Sequence, residues 1–454
     1  MSRIRLSPVQ FIPVSFLLII VLGTLLLMLP ISTADGVAPD ILTALFTSTT
    51  SVCVTGLVVV DTYAYWSTFG QSVILMLIQV GGLGVVTVGA MIMLVGKRKF
   101  NFGDRKLLGD ALNVEKNRGL LRFLVRIFKG TFLVEGIGAA LYAVDLIPRL
   151  GPVKGIWASI FHSVSAFCNA GMDVVGPDSM ISLRESGLLM FVTMALIVMG
   201  GLGFVVWFDI YDGIKDGIGN GLSVRNIVKR LPVHSKIVLS VTIILLLGGT
   251  LAVLGAEYNN PETIGGMSLP DKIINSLFQS VTFRTAGFAS VPQNSLTEIT
   301  CMIGYVLMFI GGSPVGTAGG VKTVTAFLVF MNTRSYIRGS RENVIFNRSV
   351  SSEIMRKASA VVTVSLTVVV FMTTLLMIFT GNTLTDSLYE VVSALATVGL
   401  SRGLTPELNT AGRIIIIISM YLGRIGPISM AIFFAKGAGK LNRIKHAEGK
   451  FYVG

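Results

Sequence analysis

Four short stretches of this chain end in glycine at matching places: SVCVTGL at Gly56, SAFCNAGM at Gly171, SVTFRTAGF at Gly287 and SALATVGL at Gly399, a period of about 115 residues. None carries a pair of carboxylates, a nucleophile beside a base, or metal-ligand spacing. What they offer is backbone. A cation leaving water needs replacement oxygens, and a ring of peptide carbonyls supplies them. Glycine permits the dihedrals that turn carbonyls toward one axis, and it puts no side chain in the ring. The residues that would line such a ring are Cys53, Val54, Thr55 and Gly56; Cys168, Asn169, Ala170 and Gly171; Thr285, Ala286 and Gly287; and Thr397, Val398 and Gly399. One such pair alone reads as an ordinary loop glycine. Four in register point to a shared pore.

The second unusual stretch is IGGSPVGTAGGVKT, Ile310 to Thr323. Its glycines and proline interrupt an apolar run where a helix should cross a bilayer. Unwound backbone at that depth is tolerated only where it is buried in protein or lines a cavity. Gly311, Gly312, Ser313, Pro314, Gly316, Thr317, Gly319, Gly320 and Lys322 therefore read as a flexible, pore-lining gate. A phosphate-binding loop is disfavoured because Val321 separates Gly320 from Lys322. Simple helix packing needs only small residues at spacing four, which suits GGLG at Gly81 and at Gly200 but not the proline-containing loop.

The elements that must position these residues follow from hydropathy. The chain has 454 residues, 52% hydrophobic and 13% charged, with a mean hydropathy of +0.76. That composition excludes a soluble domain and describes an all-α polytopic membrane protein. Eight segments are long enough to span: Val9–Pro30, Gly70–Val95, Leu120–Ile147, Ser186–Ile210, Ile237–Ala256, Thr297–Met331, Ala358–Thr380 and Gly412–Ala435. Between them lie four amphipathic stretches, Asp40–Val52, Gly155–Phe167, Asp271–Phe283 and Thr385–Ala396. Each has ~12 residues where a span needs ~20, the mark of a re-entrant half-helix. The order span, half-helix, span repeats four times. It divides the chain into pore repeats at 1–96, 97–213, 214–345 (with the gate at 310–323) and 346–454, the last ending in a short cytoplasmic tail. A second glycine cluster follows each arm, from Gly81, Gly200, Gly311 and Gly423.

Charge sets the orientation. Most of the 37 Lys and Arg fall on one side if both termini are cytoplasmic. The N-terminal run is read as the first span, since no small-residue cleavage site follows it. Three cysteines, an odd number without ligand spacing, support neither a disulfide framework nor a zinc site. The net charge of +13 is explained by the inner face and needs no nucleic acid.

Arg424 lies within the last span, and an intramembrane charge is a functional candidate with a partner. It either hydrogen-bonds gate-loop carbonyls and opposes ion passage, or forms a buried pair with Glu135. Arg284 beside the third arm reads as a structural tie behind the ring. Trp207 and Asp209, ending the fourth span, read as interface anchors.

These residues resemble the membrane subunit of the Ktr/Trk/HKT potassium transporters, most closely the bacterial Ktr type. TFRTAGF together with GGSPVGTAGGVKT is the specific part, and the match covers nearly the whole chain. The resemblance implies four span–pore-helix–span units around one pore, a filter with K+ as the transported ion, and Na+ as a candidate activator. It implies no organic cofactor and no enzymatic activity. It places an arginine such as Arg424 beside the gate, and Gly56 in the first arm goes with potassium where plant relatives with serine go with sodium. It also implies a homodimer in a bacterial plasma membrane, with a cytosolic nucleotide-binding regulatory ring of the RCK type on the basic inner face. The rival readings are a sodium- or proton-coupled potassium symporter and a membrane scaffold that conducts nothing.

Overall fold

The computed structural model describes residues 8–95, 120–340 and 342–426. The basic N-terminus, most of the loop from Lys97 to Lys129, the last span beyond Gly426 and the tail lie outside the described residues. Within them the protein is an all-α polytopic membrane protein built on four half-helices.

The first unit comprises α1 (Pro8–Leu27), the half-helix α2 (Ile41–Cys53), α3 (Thr68–Leu83) and α4 (Val85–Val95). The second comprises α5 (Leu120–Leu150), the half-helix α6 (Pro152–Cys168), α7 (Gly187–Leu202) and α8 (Phe204–Gly219). The third has α9 (Val233–Glu257), the half-helix α10 (Leu269–Phe283), α11 (Glu298–Phe309) and, beyond the glycine loop, α12 (Thr323–Ile337). The fourth has α13 (Ser352–Thr380), the half-helix α14 (Leu384–Leu395) and α15 (Thr410–Ile425). A two-residue hairpin, β1 (Val344–Ile345) with β2 (Arg348–Ser349), joins units three and four and packs Ile345 against α9, α12 and α13.

Two expected spans are not straight. α3 and α4 meet at 95°, and α7 and α8 at 96°. The breaks fall at Gly84 (φ +86°) and Gly203 (φ +85°), a conformation that side chains rarely adopt. Packing explains the first glycine of each GGLG. A Cβ on Gly81 would collide with the Val52 carbonyl, and one on Gly200 with that of Phe167, each at the C-terminal end of its half-helix. Among the described residues three helices, α5, α9 and α13, are each long and apolar enough to cross a bilayer, or five if each bent pair is taken as one span.

The half-helices form the core. Their C-terminal ends are buried, including the hydroxyl run Thr47–Ser51 of α2, whereas the long helices turn apolar side chains outward, as at Leu18 and Leu22, Ile244 and Leu251, or Val370 and Ile378. Such faces suit lipid. One contact recurs in the first three units. A glycine of the first span (Gly23, Gly138, Gly249) lies against a half-helix serine (Ser48, Ser163, Ser280) and a leucine of the second span (Leu77, Leu196, Leu307). Each serine donates to a first-span carbonyl, at 2.7, 2.6 and 2.9 Å respectively. Close backbone approach plus an interhelical hydroxyl bond is how helices adhere in lipid, where apolar association contributes little. Gly138→Ala pushes a methyl into Ser163 and should cost about 1–3 kcal/mol, seen as a lower thermal midpoint in detergent. Gly136→Ala, two residues away with nothing within 4 Å of its added Cβ, should leave the midpoint unchanged or raise it.

Candidate functional site

Each half-helix points its C-terminus inward, and there the chain leaves it through one left-handed residue: Val54 (φ 56°), Asn169 (61°), Thr285 (70°) and Thr397 (52°). Two residues on come Gly56 (97°), Gly171 (66°), Gly287 (87°) and Gly399 (94°). Thr55, Ala170, Ala286 and Val398 between them keep negative φ. Alternation of this kind swings successive carbonyls to one side of an extended arm. In the first and fourth arms a half-helix hydroxyl fixes the bend, Thr50 Oγ1 accepting from Gly56 N at 2.9 Å and Ser393 Oγ from Gly399 N at 3.0 Å.

The four arms form a closed cycle. A Cβ on Gly56 would strike the carbonyl oxygen of Ala170, and one on Gly171 that of Ala286 at 2.6 Å. On Gly287 it would meet the Val398 oxygen at 2.5 Å, and on Gly399 the Thr55 oxygen. Every arm thus presents its glycine to the peptide oxygen of the next, in the order one, two, three, four and back to one. All four glycines open onto one cavity of about 350 Å³, which also reaches Asp61, Asp173 and Ser401. Together with the negative ends of four half-helices, this arrangement can dehydrate and hold a monovalent cation. Cys53 and Cys168 are buried, free thiols at the half-helix ends.

The glycine loop lies directly beneath the arms. Gly311 N donates to Val321 O at 3.1 Å and Val321 N to Phe309 O at 2.9 Å, pinching the loop's neck. Thr323 N closes on Gly312 O at 3.0 Å. Ser313 N reaches Gly201 O at 2.8 Å, Thr317 N reaches Gly200 O at 3.1 Å, and Val315 accepts from Phe204 N at 3.0 Å, so the loop fills the notch left by the α7–α8 break. Added Cβ atoms on Gly316 and Gly203 would meet Gly200 O and Pro314 O at 2.8 and 2.5 Å. Upward, Thr317 Oγ1 donates to Phe167 O at 3.0 Å and Gly319 N to Thr285 Oγ1 at 3.3 Å. Gly319 also abuts Thr397 of the fourth arm, and Gly320 takes a φ of +68° at the loop's exit. Lys322 Nζ donates to Ala318 O at 2.5 Å.

Two arginines clamp the loop. Arg424 donates from Nη1 to Thr317 O at 2.7 Å and from Nη2 to the Gly81 and Gly82 carbonyls. It does not pair with Glu135, which instead accepts from Gln79 Nε2 at 3.2 Å. Arg284, buried, donates Nη2 to Gly311 O at 3.1 Å, tying the third half-helix to the loop's first glycine. Trp207 is no interface anchor: its Nε1 bonds Met199 O at 3.0 Å across the α7–α8 break, and its ring packs on Phe167 and Phe204. Asp209 accepts from Ser235 Oγ at 2.5 Å. Sequence reasoning missed this bridge because a tryptophan at a span's end has an interfacial explanation ready.

A family model described as "TrkH: Cation transport protein" matches residues 7–444. The chain belongs to that family. Its members are cation transporters and not enzymes, and the likeness to the Ktr/Trk group read from the residues stands. The potassium/sodium uptake protein NtpJ of Enterococcus hirae is 38% identical over 432 residues, 94% of this chain and 93% of that one. The Ktr system potassium uptake protein B of Bacillus subtilis is 37% identical over 451 residues, 99% and 98% of the two chains. The crystal structure of the potassium transporter TrkH from Vibrio parahaemolyticus shares the fold, with a TM-score of 0.75 at 16% identity, over 96% of this chain and 86% of that one.

Two outcomes follow from the TrkH-family geometry. Gly287→Ala must shift the Val398 peptide, so ion flux through the purified protein in liposomes should fall about tenfold or more, for ~1.4 kcal/mol or more added to the barrier, with the protein still monodisperse. At the cavity mouth, half-buried Asp173 is pushed up to about 7 by burial and by Asp61, against the opposing pull of Ser179. A carboxyl raised in this way is neutral below pH 7 and charged above it. Cation uptake at low ion concentration should therefore rise between pH 6 and 8, and Asp173→Asn should flatten that rise.

Proposed function

We propose that the chain takes up potassium across a bacterial plasma membrane through a gated, channel-like pathway, as the ion-translocating component of a Ktr-type system. The observation that carries this reading is the cyclic approach of four glycine arms, each to the peptide oxygen of the next. Cys53 to Gly56, Cys168 to Gly171, Thr285 to Gly287 and Thr397 to Gly399 form the filter. The division into pore repeats at 1–96, 97–213, 214–345 and 346–454 accompanies it. Uptake of potassium is what the names of the Enterococcus and Bacillus relatives state of those proteins.

Gly311 to Gly320, with Lys322 and Arg424, act as the gate. Arg424 spans the gap between this loop and the broken second span of the first repeat. Its charge beneath the filter opposes a cation, and its three carbonyl partners lock the loop in place. For the loop to open, these bonds must be exchanged for others, so a regulator acts only by favouring one arrangement over the other. We take the assembly to be a homodimer with both termini in the cytoplasm, served by a separate nucleotide-binding ring on the basic inner face. One relative's name joins potassium with sodium, which favours keeping sodium, as activator or coupled ion, as the second reading.

Potassium flux in liposomes tests the proposal. Arg424→Ala, and separately deletion of Gly311–Gly320, should raise flux by about tenfold, equivalent to removing ~1.4 kcal/mol from the barrier. Folded variants with unchanged flux would refute the gate. Reversal potentials that follow potassium alone while sodium is varied support the uncoupled pathway; a shift with sodium supports the second reading.

A further inference from the structure

The Glu390 side chain has no part in the pathway described so far. It sits on α14, nine residues before Gly399, and is 0% exposed. Among the described residues no cation pairs with it. Its two oxygens accept instead from two hydroxyls on the limb that leaves the fourth arm outward: Ser401 Oγ at 2.8 Å, and Thr405 Oγ1. That limb folds back on itself. Gly403 takes a φ of +95°, and the Gly403 and Thr405 amides both donate to Ser401 Oγ, at 3.2 and 3.3 Å. Ser401 lines the same cavity as the four glycines and stands two residues beyond Gly399. One carboxylate therefore gathers both ends of a turn whose inner end is the filter.

The corresponding position in the other arms, nine before each glycine, holds Thr47, His162 and Phe278, all buried. His162 has an analogous contact. Its Nε2 accepts from the amide of Val174, three residues beyond Gly171, at 3.4 Å, while its ring stacks on Phe288 beside the third arm. The cyclic order of the arms places the second and fourth opposite each other. At this one position, then, a side chain bonds the outgoing limb on one diagonal of the ring. On the other, Thr47 and Phe278 make no such bond to their limbs; elsewhere on the third half-helix Thr282 Oγ1 donates to Phe288 O at 2.6 Å.

A buried carboxylate held by hydroxyls alone is costly unless both oxygens stay bonded. Its partners cannot drift without leaving a buried carboxyl oxygen unbonded, so it holds both hydroxyls in place. We propose that Glu390 is a positioning residue that holds the outgoing limb of the fourth arm, and through it the Val398 and Gly399 backbone, at the spacing that distinguishes potassium from the smaller sodium ion. It touches no ion. The inference rests on the filter reading above.

The test uses the full-length protein in liposomes, with potassium and sodium fluxes measured separately. Glu390→Gln keeps the shape but cannot accept from both hydroxyls through carboxylate oxygens; Ser401→Ala removes a partner and leaves the acid. Both should raise the sodium-to-potassium flux ratio by about tenfold, the scale of one hydrogen bond. The double variant should be no worse than Glu390→Gln alone, because both act through one contact. Variants that elute and melt like the parent yet keep its ion ratio overturn the proposal. A merely structural role would lower yield and both fluxes together, and would leave the ratio untouched. If Gly399→Ser changes the ratio while Glu390→Gln does not, the brace fails and the filter reading survives. If neither changes it, the filter reading fails as well.

Discussion

The structure depends on one steric condition: at four places an α-carbon lies so near the next arm's peptide oxygen that no β-carbon can be accommodated. This contact closes the ring. It fixes how far each half-helix reaches inward, and therefore where each first span and each broken second span must stand around it. The glycine–serine–leucine contacts of the first three units are its outer counterpart, locking each half-helix at its depth. Tight backbone approach at both radii suits a membrane interior, where packing and hydrogen bonding carry the association.

The glycine loop belongs to the same construction. It occupies the third unit where the first two units have a sharp bend, and it rests in the notch of one of those bends. Its amides are satisfied by α7 carbonyls and by the third arm, and its carbonyls by Arg284 and Arg424. A segment so thoroughly bonded is ordered although it is unwound, as the hydrocarbon interior requires. Beyond the bonds that pinch its own neck, each is nevertheless to a neighbouring unit or to a single side chain. The set can be exchanged piecemeal without unfolding a helix.

Much of this was legible in the residues. The half-helix C-terminal ends fall within one residue of expectation, and the arms follow at once, because length and a terminal glycine are local properties. Other features were hidden because they depend on partners. GGLG at Gly81 and Gly200 fits helix packing, and its first glycine does pack; nothing in the tetrapeptide says that its last one carries a right-angle break. Glu135 and Arg424 are both intramembrane charges, and the residues alone left open whether they pair or Arg424 bonds the loop; it bonds the loop, because backbone carbonyls freed by broken helices satisfy a guanidinium just as well. Glu390 escaped notice since its partners lie 11 and 15 residues away, on a turn that only Gly403 makes possible.

The four walls of the ring are written in a single polypeptide, and they have diverged. Where four identical subunits surround an axis, any substitution appears in quadruplicate and its effect is imposed on every side at once. Here a change at Glu390 is written into one wall and is not repeated in the other three. Evolution can accordingly adjust such a ring by quarters, one arm's sequence at a time.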